Sequence, residues 1–214
     1  MAHNSISRQL IRLHLLESAV TDMTYSDVLL ALATGIASAE KQVALATDSG
    51  DAEWAEIVTD DECDVVEDLL GAAFIVCQVK ITAVLTAALR FRAVCLECGK
   101  AFASFGEEPT SVLKFGVVKD DDSKVGAVEL IWALANYFKH RDEWQGPWEK
   151  MQGHPRRTIK TIEKAGLSSG CSANLRIGSE VLGNSSYKDL IVFATLVDSW
   201  AAKILQACRS EAKT

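Results

Sequence analysis

A run of ionisable, amide and aromatic residues at positions 136–144 is the part of the sequence best suited to chemistry. It reads Asn-Tyr-Phe-Lys-His-Arg-Asp-Glu-Trp. On a helix, Glu129, Asn136, His140 and Glu143 share one narrow sector, because their spacings of seven, four and three align the side chains. A histidine held by an amide one turn back and a carboxylate one turn on can act as an acid or a base. The spacing therefore predicts a site centred on His140.

The same residues also fit the solvated face of an amphipathic helix, which is the plainer interpretation. Against it, Trp132, Tyr137 and Trp144 border the charged positions. Aromatic side chains beside His and Arg are typical of contact surfaces. The residues predicted to bind a partner are Glu129, Trp132, Asn136, His140, Glu143 and Trp144.

Other candidate motifs are incomplete. Residues 153–157, Gly-His-Pro-Arg-Arg, predict a short basic loop that either meets phosphate or an acidic partner or is simply solvated. Cys95 and Cys98 copy the first half of a zinc finger, but the two further ligands that tetrahedral zinc requires do not follow. No phosphate loop, dinucleotide glycine pattern or serine-nucleophile elbow occurs. The sequence therefore predicts neither a metal nor a cofactor.

Apolar residues recur at intervals of three and four, and the chain has only 3 prolines, so the pattern predicts helices throughout. We expect an all-α bundle of about five to seven helices in a single domain, residues 1–214. A surface connection with one or two helical turns is expected at 51–63, a polar lead at 119–123, a surface loop at 166–184, and a kink or split of the third helix near Gly71 or Arg90. The predicted helices cover residues 6–20, a second segment capped by Ser26, and residues 61–102, 124–145, 158–164 and 186–210.

Charge, composition and the N-terminal sequence disfavour several functional classes. Asp and Glu total 29 against 22 Lys and Arg, a net charge of -7 that disfavours nucleic-acid binding and suits a basic partner. The N-terminus lacks a secretory pattern, so the six cysteines are expected to be reduced. The apolar runs 69–89 and 190–205 contain Lys80 and Asp198 near their middles, which are costly in lipid. The sequence thus predicts a cytoplasmic protein with no membrane span.

The segment Ala135-Asn136-Tyr137-Phe138-Lys139-His140 resembles the HEPN superfamily, all-α proteins common in bacterial defence and toxin systems. Members often carry Arg-Asn-x-x-x-His on a late helix. This chain keeps the Asn and the His and has alanine in place of the arginine. In active members, the Arg and His of two protomers cleave RNA, so the resemblance implies ribonuclease chemistry only if Lys139 or Arg141 replaces the arginine.

Two hypotheses follow from the residues and the resemblance together, beside the plainer alternative of a structural or regulatory helical module with no role in conflict. In the first, the chain is a non-catalytic immunity protein or antitoxin of a bacterial conflict system and binds a protein partner, for which a basic toxin is the candidate. In the second, it is a metal-independent ribonuclease that dimerises through the motif helix, acts on RNA and uses His140, Asn136, Lys139 and Arg141. The missing arginine and the acidic charge favour the first.

Overall fold

The structure is a computed structural model that describes residues 2–117, 125–144 and 146–213, with side chains from Ile6 onward. Regular structure in these residues is entirely helical, which confirms the all-α bundle. Seven of the described helices have eight residues or more, and α4 has five. They are α1 (Ala2–Thr21), α2 (Thr24–Asp48), α3 (Ala52–Glu97), α4 (Pro109–Leu113), α5 (Ala127–His140), α6 (Gly153–Lys164), α7 (Asn174–Val181) and α8 (Ile191–Lys213), with a 3-10 turn at Trp148–Lys150.

The central element is α3, against which α1, α2, α5, α7 and α8 all pack. Its 46 residues span about 69 Å at the usual helical rise. The predicted surface connection at 51–63 is wrong, because the helix already begins at Ala52. Asp51 caps it by accepting a hydrogen bond from the Trp54 backbone N–H at 3.0 Å. No split occurs near Gly71 or Arg90, since α3 continues as one helix to Glu97.

Several predicted boundaries differ from the structure. The basic loop at 153–157 is instead the first turn of α6, where a proline is tolerated because the N–H it lacks has no partner within the helix. Ser26 is not the cap of α2, which begins at Thr24, whose N–H donates to the Asp22 side chain at 3.0 Å. The last helix begins at Ile191, five residues later than predicted. The predicted polar lead at 119–123 and the predicted end residues of the motif helix, Lys124 and Gln145, lie outside the described residues. The motif helix ends earlier than predicted, because α5 stops at His140 and residues 141–144 form turns.

Two glycines allow α5 to approach its neighbours closely. A Cβ on Gly71 of α3 would lie 2.2 Å from the Phe138 ring, and one on Gly178 of α7 would lie 2.6 Å from Leu134. At these distances any side chain would force Phe138 or Leu134 to move, so packing favours glycine at both positions. The motif helix is thereby fixed between α3 and α7, with Leu130, Ile131 and Leu134 in the core.

A polar contact inside the bundle ties α3 to the end of α1. The Lys80 ammonium is 4% exposed and donates to the Val20 carbonyl at 2.8 Å and also to the Asp22 carbonyl. Carbonyls at the end of a helix have no partner within it, so Lys80 satisfies them. Burial lowers the pKa of Lys80, while nearby Asp198 and Asp22 oppose that shift.

Three described stretches are long and apolar enough to cross a membrane by length and composition, namely Ile6–Asp48, Ala52–Glu97 and Ile191–Lys213. In the most apolar window of each, 17%, 50% and 44% of the residues, respectively, are buried within the protein. An apolar groove of about 510 Å³ between α1 and α3, lined in part by Leu15, Val79 and Ala83, adds to this exposed apolar surface.

Tyr25 links α2 to α8 through a hydrogen bond whose loss we expect to be measurable. Its hydroxyl donates to the Asp198 carboxylate at 2.7 Å and lies 3.1 Å from the Ala194 carbonyl. Tyr25→Phe should lower the free energy of unfolding by about 1–2 kcal/mol in urea denaturation, because the ring keeps its packing while the carboxylate loses its donor. The control is Tyr187→Phe, which removes an exposed bond to Glu180 and should cost less. Equal losses of stability in the two variants would contradict a larger contribution from the Tyr25–Asp198 hydrogen bond.

Candidate functional site

An open cleft of about 1310 Å³ lies between α5, α6 and the segment around α4. Its lining includes all six residues that the sequence predicts to bind a partner. They reach it from one face of α5 and from the turn that follows. The polar row consists of Glu129, Asn136, His140 and Glu143, of which Asn136 also contacts α3. The structure thus brings the six predicted residues to a single surface, namely Glu129, Trp132, Asn136, His140, Glu143 and Trp144.

His140 lies at the rim of the cleft with one ionisable partner. Its Nδ1 is 3.3 Å from the Glu143 Oε1, which is the carboxylate one turn on that the spacing predicts. The imidazole also stacks on Trp144, with ring centres 5.5 Å apart and planes inclined by 17°. The side chains of His140 and Glu143 are 45% and 71% exposed. This geometry orients the ring but leaves both groups open to solvent or to a partner.

Asn136 does not hold His140, because its amide is engaged elsewhere. The Asn136 Oδ1 accepts a hydrogen bond at 3.0 Å from the Nε2 of Gln78, a buried residue of α3. The Gln78 Oε1 in turn accepts one at 2.8 Å from the Lys139 ammonium. Burial lowers the pKa of Lys139. The amide of Gln78 therefore fixes both α5 side chains against α3.

Arg141 is likewise directed away from the cleft. Its guanidinium forms an ion pair with Asp68 of α3 at 2.7 Å and lies 4.7 Å from the centre of the Phe138 ring. Neither Arg141 nor Lys139 is among the residues that line the cleft. The ribonuclease hypothesis requires Lys139 or Arg141 beside His140, and neither of them shares the surface of the cleft with it.

The opposite wall of the cleft is basic and comes from α6, where the sequence predicted a loop followed by a short helix. His154, Arg157, Lys160 and Lys164 lie along this wall. Across the cleft, Lys114 forms an ion pair with Glu129 at 3.5 Å. The basic run at 153–157 was a signal for this wall, but the sequence did not reveal that it faces α5.

Aromatic side chains form the floor beneath His140. Trp144 and Trp148 are 7% and 2% exposed, and both rings lie against Tyr137, with centres 6.4 and 5.8 Å away. The Trp148 Nε1 donates to the Trp144 carbonyl at 3.3 Å. Trp144 thus presents little surface and mainly supports the imidazole. Trp132 is partly buried and remains the more accessible aromatic contact.

The cysteine pair lies apart from the cleft, where α3 ends. Cys95 is buried, which raises the pKa of its thiol, and Cys98 is partly buried. Among the described residues, no group of three or more His, Cys, Asp or Glu side chains is arranged to hold a metal ion.

Comparisons with protein-family models, with curated proteins and with solved structures found no match to this chain. The cleft between α5 and α6 is therefore described by its own side chains, and no relative supplies a role for any of them. Its tryptophans Trp132 and Trp144, its exposed imidazole and carboxylate, and its basic wall together form a surface suited to contact with another molecule.

Proposed function

We propose that this chain is a non-catalytic binding protein of a bacterial conflict system, an immunity protein or antitoxin that neutralises a toxin by direct contact through the cleft. The observation that carries the proposal is that all six predicted contact residues line one open surface. Tryptophan, tyrosine and arginine side chains near the centre of a protein interface often provide much of its binding energy. The resemblance of α5 to the HEPN motif helix is the basis for placing the partner among toxins.

The polar row favours contact over catalysis. A general base needs a partner that positions it and a second group that acts on the substrate. His140 has Glu143, but Asn136 is bonded to Gln78 and Arg141 to Asp68. Because those groups already have structural partners, the ribonuclease alternative is left with His140 and without a neighbouring α5 cation.

The proposal places the protein in the cytoplasm. Lys80 and Asp198 stand within the apolar stretches of α3 and α8, and both make contacts between helices. In lipid these charged groups would carry a large cost, whereas in the bundle they have partners.

A photo-crosslinking amino acid at position 143 tests the cleft directly, since the Glu143 side chain lies at the exposed rim. We expect one discrete adduct with a protein that arrests growth when it is expressed alone and is neutralised when this chain is co-expressed.

Glu143→Lys should abolish neutralisation, because the reversed charge clashes in a buried contact. Asp142→Lys is the matched control, being an exposed neighbour that does not line the cleft.

Expression of the chain alone separates the two hypotheses. Normal host growth is expected with the wild type and with His140→Ala, matched for soluble yield. Growth arrest by the wild type that disappears with His140→Ala, together with metal-independent cleavage of RNA by the purified chain, would overturn the proposal and favour the ribonuclease.

A further inference from the structure

The acidic excess of this protein is concentrated on one helical arm, away from the cleft. Residues 42–79 contain ten Asp or Glu and no Lys or Arg. Because the whole chain has a net charge of only -7, the residues outside this interval are net positive. These acids are Asp48, Asp51, Glu53, Glu56, Asp60, Asp61, Glu62, Asp64, Glu67 and Asp68.

The arm is formed by the last turns of α2 and the first turns of α3, residues 40–65, and holds eight of these ten acids, since Glu67 and Asp68 lie beyond it. Its two helices pack against each other, and Ala46 is its one buried residue within the described side chains. The buried positions of α3 begin only at Val66. The arm therefore contributes little to the core of the bundle, although it is regular helix from residue 52 onward.

An apolar stripe runs along the exposed side of the arm. Trp54 and Ile57 are 53% and 49% exposed, and Val65 is also exposed. At about 100° per residue, these three side chains fall within roughly 80° of one another. An exposed tryptophan in line with aliphatic side chains, on helix that the core does not cover, is the usual form of an anchor for a partner.

The charges around the stripe decide which partner fits it. On the wheel, Asp61 falls within the stripe, and Glu53, Asp60 and Asp64 border one side of it. All four of these acids are exposed. The apolar groups thus sit in a strongly negative field, which attracts a cationic surface and repels an anionic one.

We propose that the stripe formed by Trp54, Ile57 and Val65 docks a basic amphipathic helix of a partner protein. Leucine-like residues of that helix at i, i+3 and i+7 would pack on the stripe, and its Arg or Lys side chains would reach the flanking carboxylates. None of these residues lines the cleft, so the two surfaces are tested by separate experiments.

Two other occupants are disfavoured by charge. A second copy of this chain would bring the same acids against these acids, because a symmetric pairing places the same patch on both sides. An anionic lipid surface would repel the carboxylates in the same way. Sedimentation detects a second copy on the stripe, and vesicle binding detects lipid.

The test uses the full chain and a fluorescein-labelled 18-residue peptide of Leu, Arg and Ala whose leucines align on one helical face. Fluorescence anisotropy should show saturable binding that weakens as salt is raised. A scrambled peptide of the same composition should bind at least about tenfold more weakly, because its leucines no longer form one face. Equal binding of the two peptides would overturn the proposal.

Substitutions on the arm locate the binding. Trp54→Ser/Ile57→Ser should weaken the aligned peptide by about tenfold or more, since it removes the apolar anchors. The matched control is Leu10→Ser/Leu15→Ser, which removes two comparably exposed leucines of α1. An unchanged affinity in the first variant would overturn the proposal.

Charge variants and sedimentation complete the test. Asp61→Asn/Asp64→Asn should weaken binding of the aligned peptide and reduce its salt dependence, whereas Asp27→Asn/Asp189→Asn, which changes two exposed acids elsewhere, should not.

Sedimentation of the wild type as a dimer that dissociates in Trp54→Ser/Ile57→Ser would assign the stripe to a second copy. Loss of binding to phosphatidylglycerol vesicles in the same variant would assign it to lipid. Either result would overturn the proposal.

Discussion

Gly71→Ala is expected to lower the free energy of unfolding by about 1–3 kcal/mol, although alanine is the better helix former by about 1 kcal/mol. The new Cβ would lie 2.2 to 2.4 Å from three atoms of the Phe138 ring, so the ring or the whole of α5 must move. Phe138 also packs beneath the Arg141 guanidinium, and displacing it strains the Arg141–Asp68 pair. Urea denaturation followed by circular dichroism measures the loss.

Two further variants separate the clash from any general effect of alanine. Gly35 of α2 is also helical, but its added Cβ would meet only the flexible end of Leu69, at 3.0 Å. Gly35→Ala should therefore be neutral or stabilising by up to about 1 kcal/mol. Adding Phe138→Leu to Gly71→Ala should recover part of the lost stability, because the smaller side chain relieves the contact. If the double variant is no more stable than Gly71→Ala, the clash is not the cause.

The polar face of α5 was predictable because a helix repeats every 3.6 residues and its two faces differ sharply. Glu129, Asn136 and His140 fall in one sector of α5 whatever surrounds the helix, Glu143 follows in the next turn, and the structure brings all four to one cleft. Their partners were not predictable, because Gln78 lies 58 residues from Asn136 along the chain. Spacing within one helix places its side chains together but does not identify what they meet.

The start of α3, at residues 52–63, and helix α7 were missed for different physical reasons. The start of α3 is helical but contributes little to the core, so the apolar repeat that marks a helix is weak there. Helix α7 is only eight residues long within a Ser, Gly and Asn-rich segment, and such short helices are marginal on their own. Its stability depends on Glu67, more than one hundred residues earlier, which supplies acceptors for its first N–H groups.

Glu67→Gln is expected to lower the free energy of unfolding by about 2–3 kcal/mol near neutral pH. The Glu67 carboxylate, 6% exposed, accepts hydrogen bonds from the backbone N–H groups of Leu175 and Arg176 at 3.1 and 3.0 Å, and from the Arg176 Nε at 3.1 Å. Glutamine replaces one acceptor oxygen with a donor and leaves Arg176 without its counter-charge. The control is Asp64→Asn, an exposed carboxylate of the same helix, which should change stability by less than about 0.5 kcal/mol.

The pH dependence of this loss reports the environment of Glu67. Burial raises the pKa of Glu67 above its ordinary value, although hydrogen bonds from Arg176 and Leu175 oppose the shift. The folded chain then holds the proton more tightly than the unfolded chain, so the contribution of Glu67 to stability is greatest below the unfolded pKa. It falls as pH rises through the folded pKa. The deficit of Glu67→Gln should therefore be larger near about pH 4 than at neutral pH. A deficit that grows with pH would instead mean that Arg176 and the start of α7 outweigh burial and hold the pKa of Glu67 below its ordinary value.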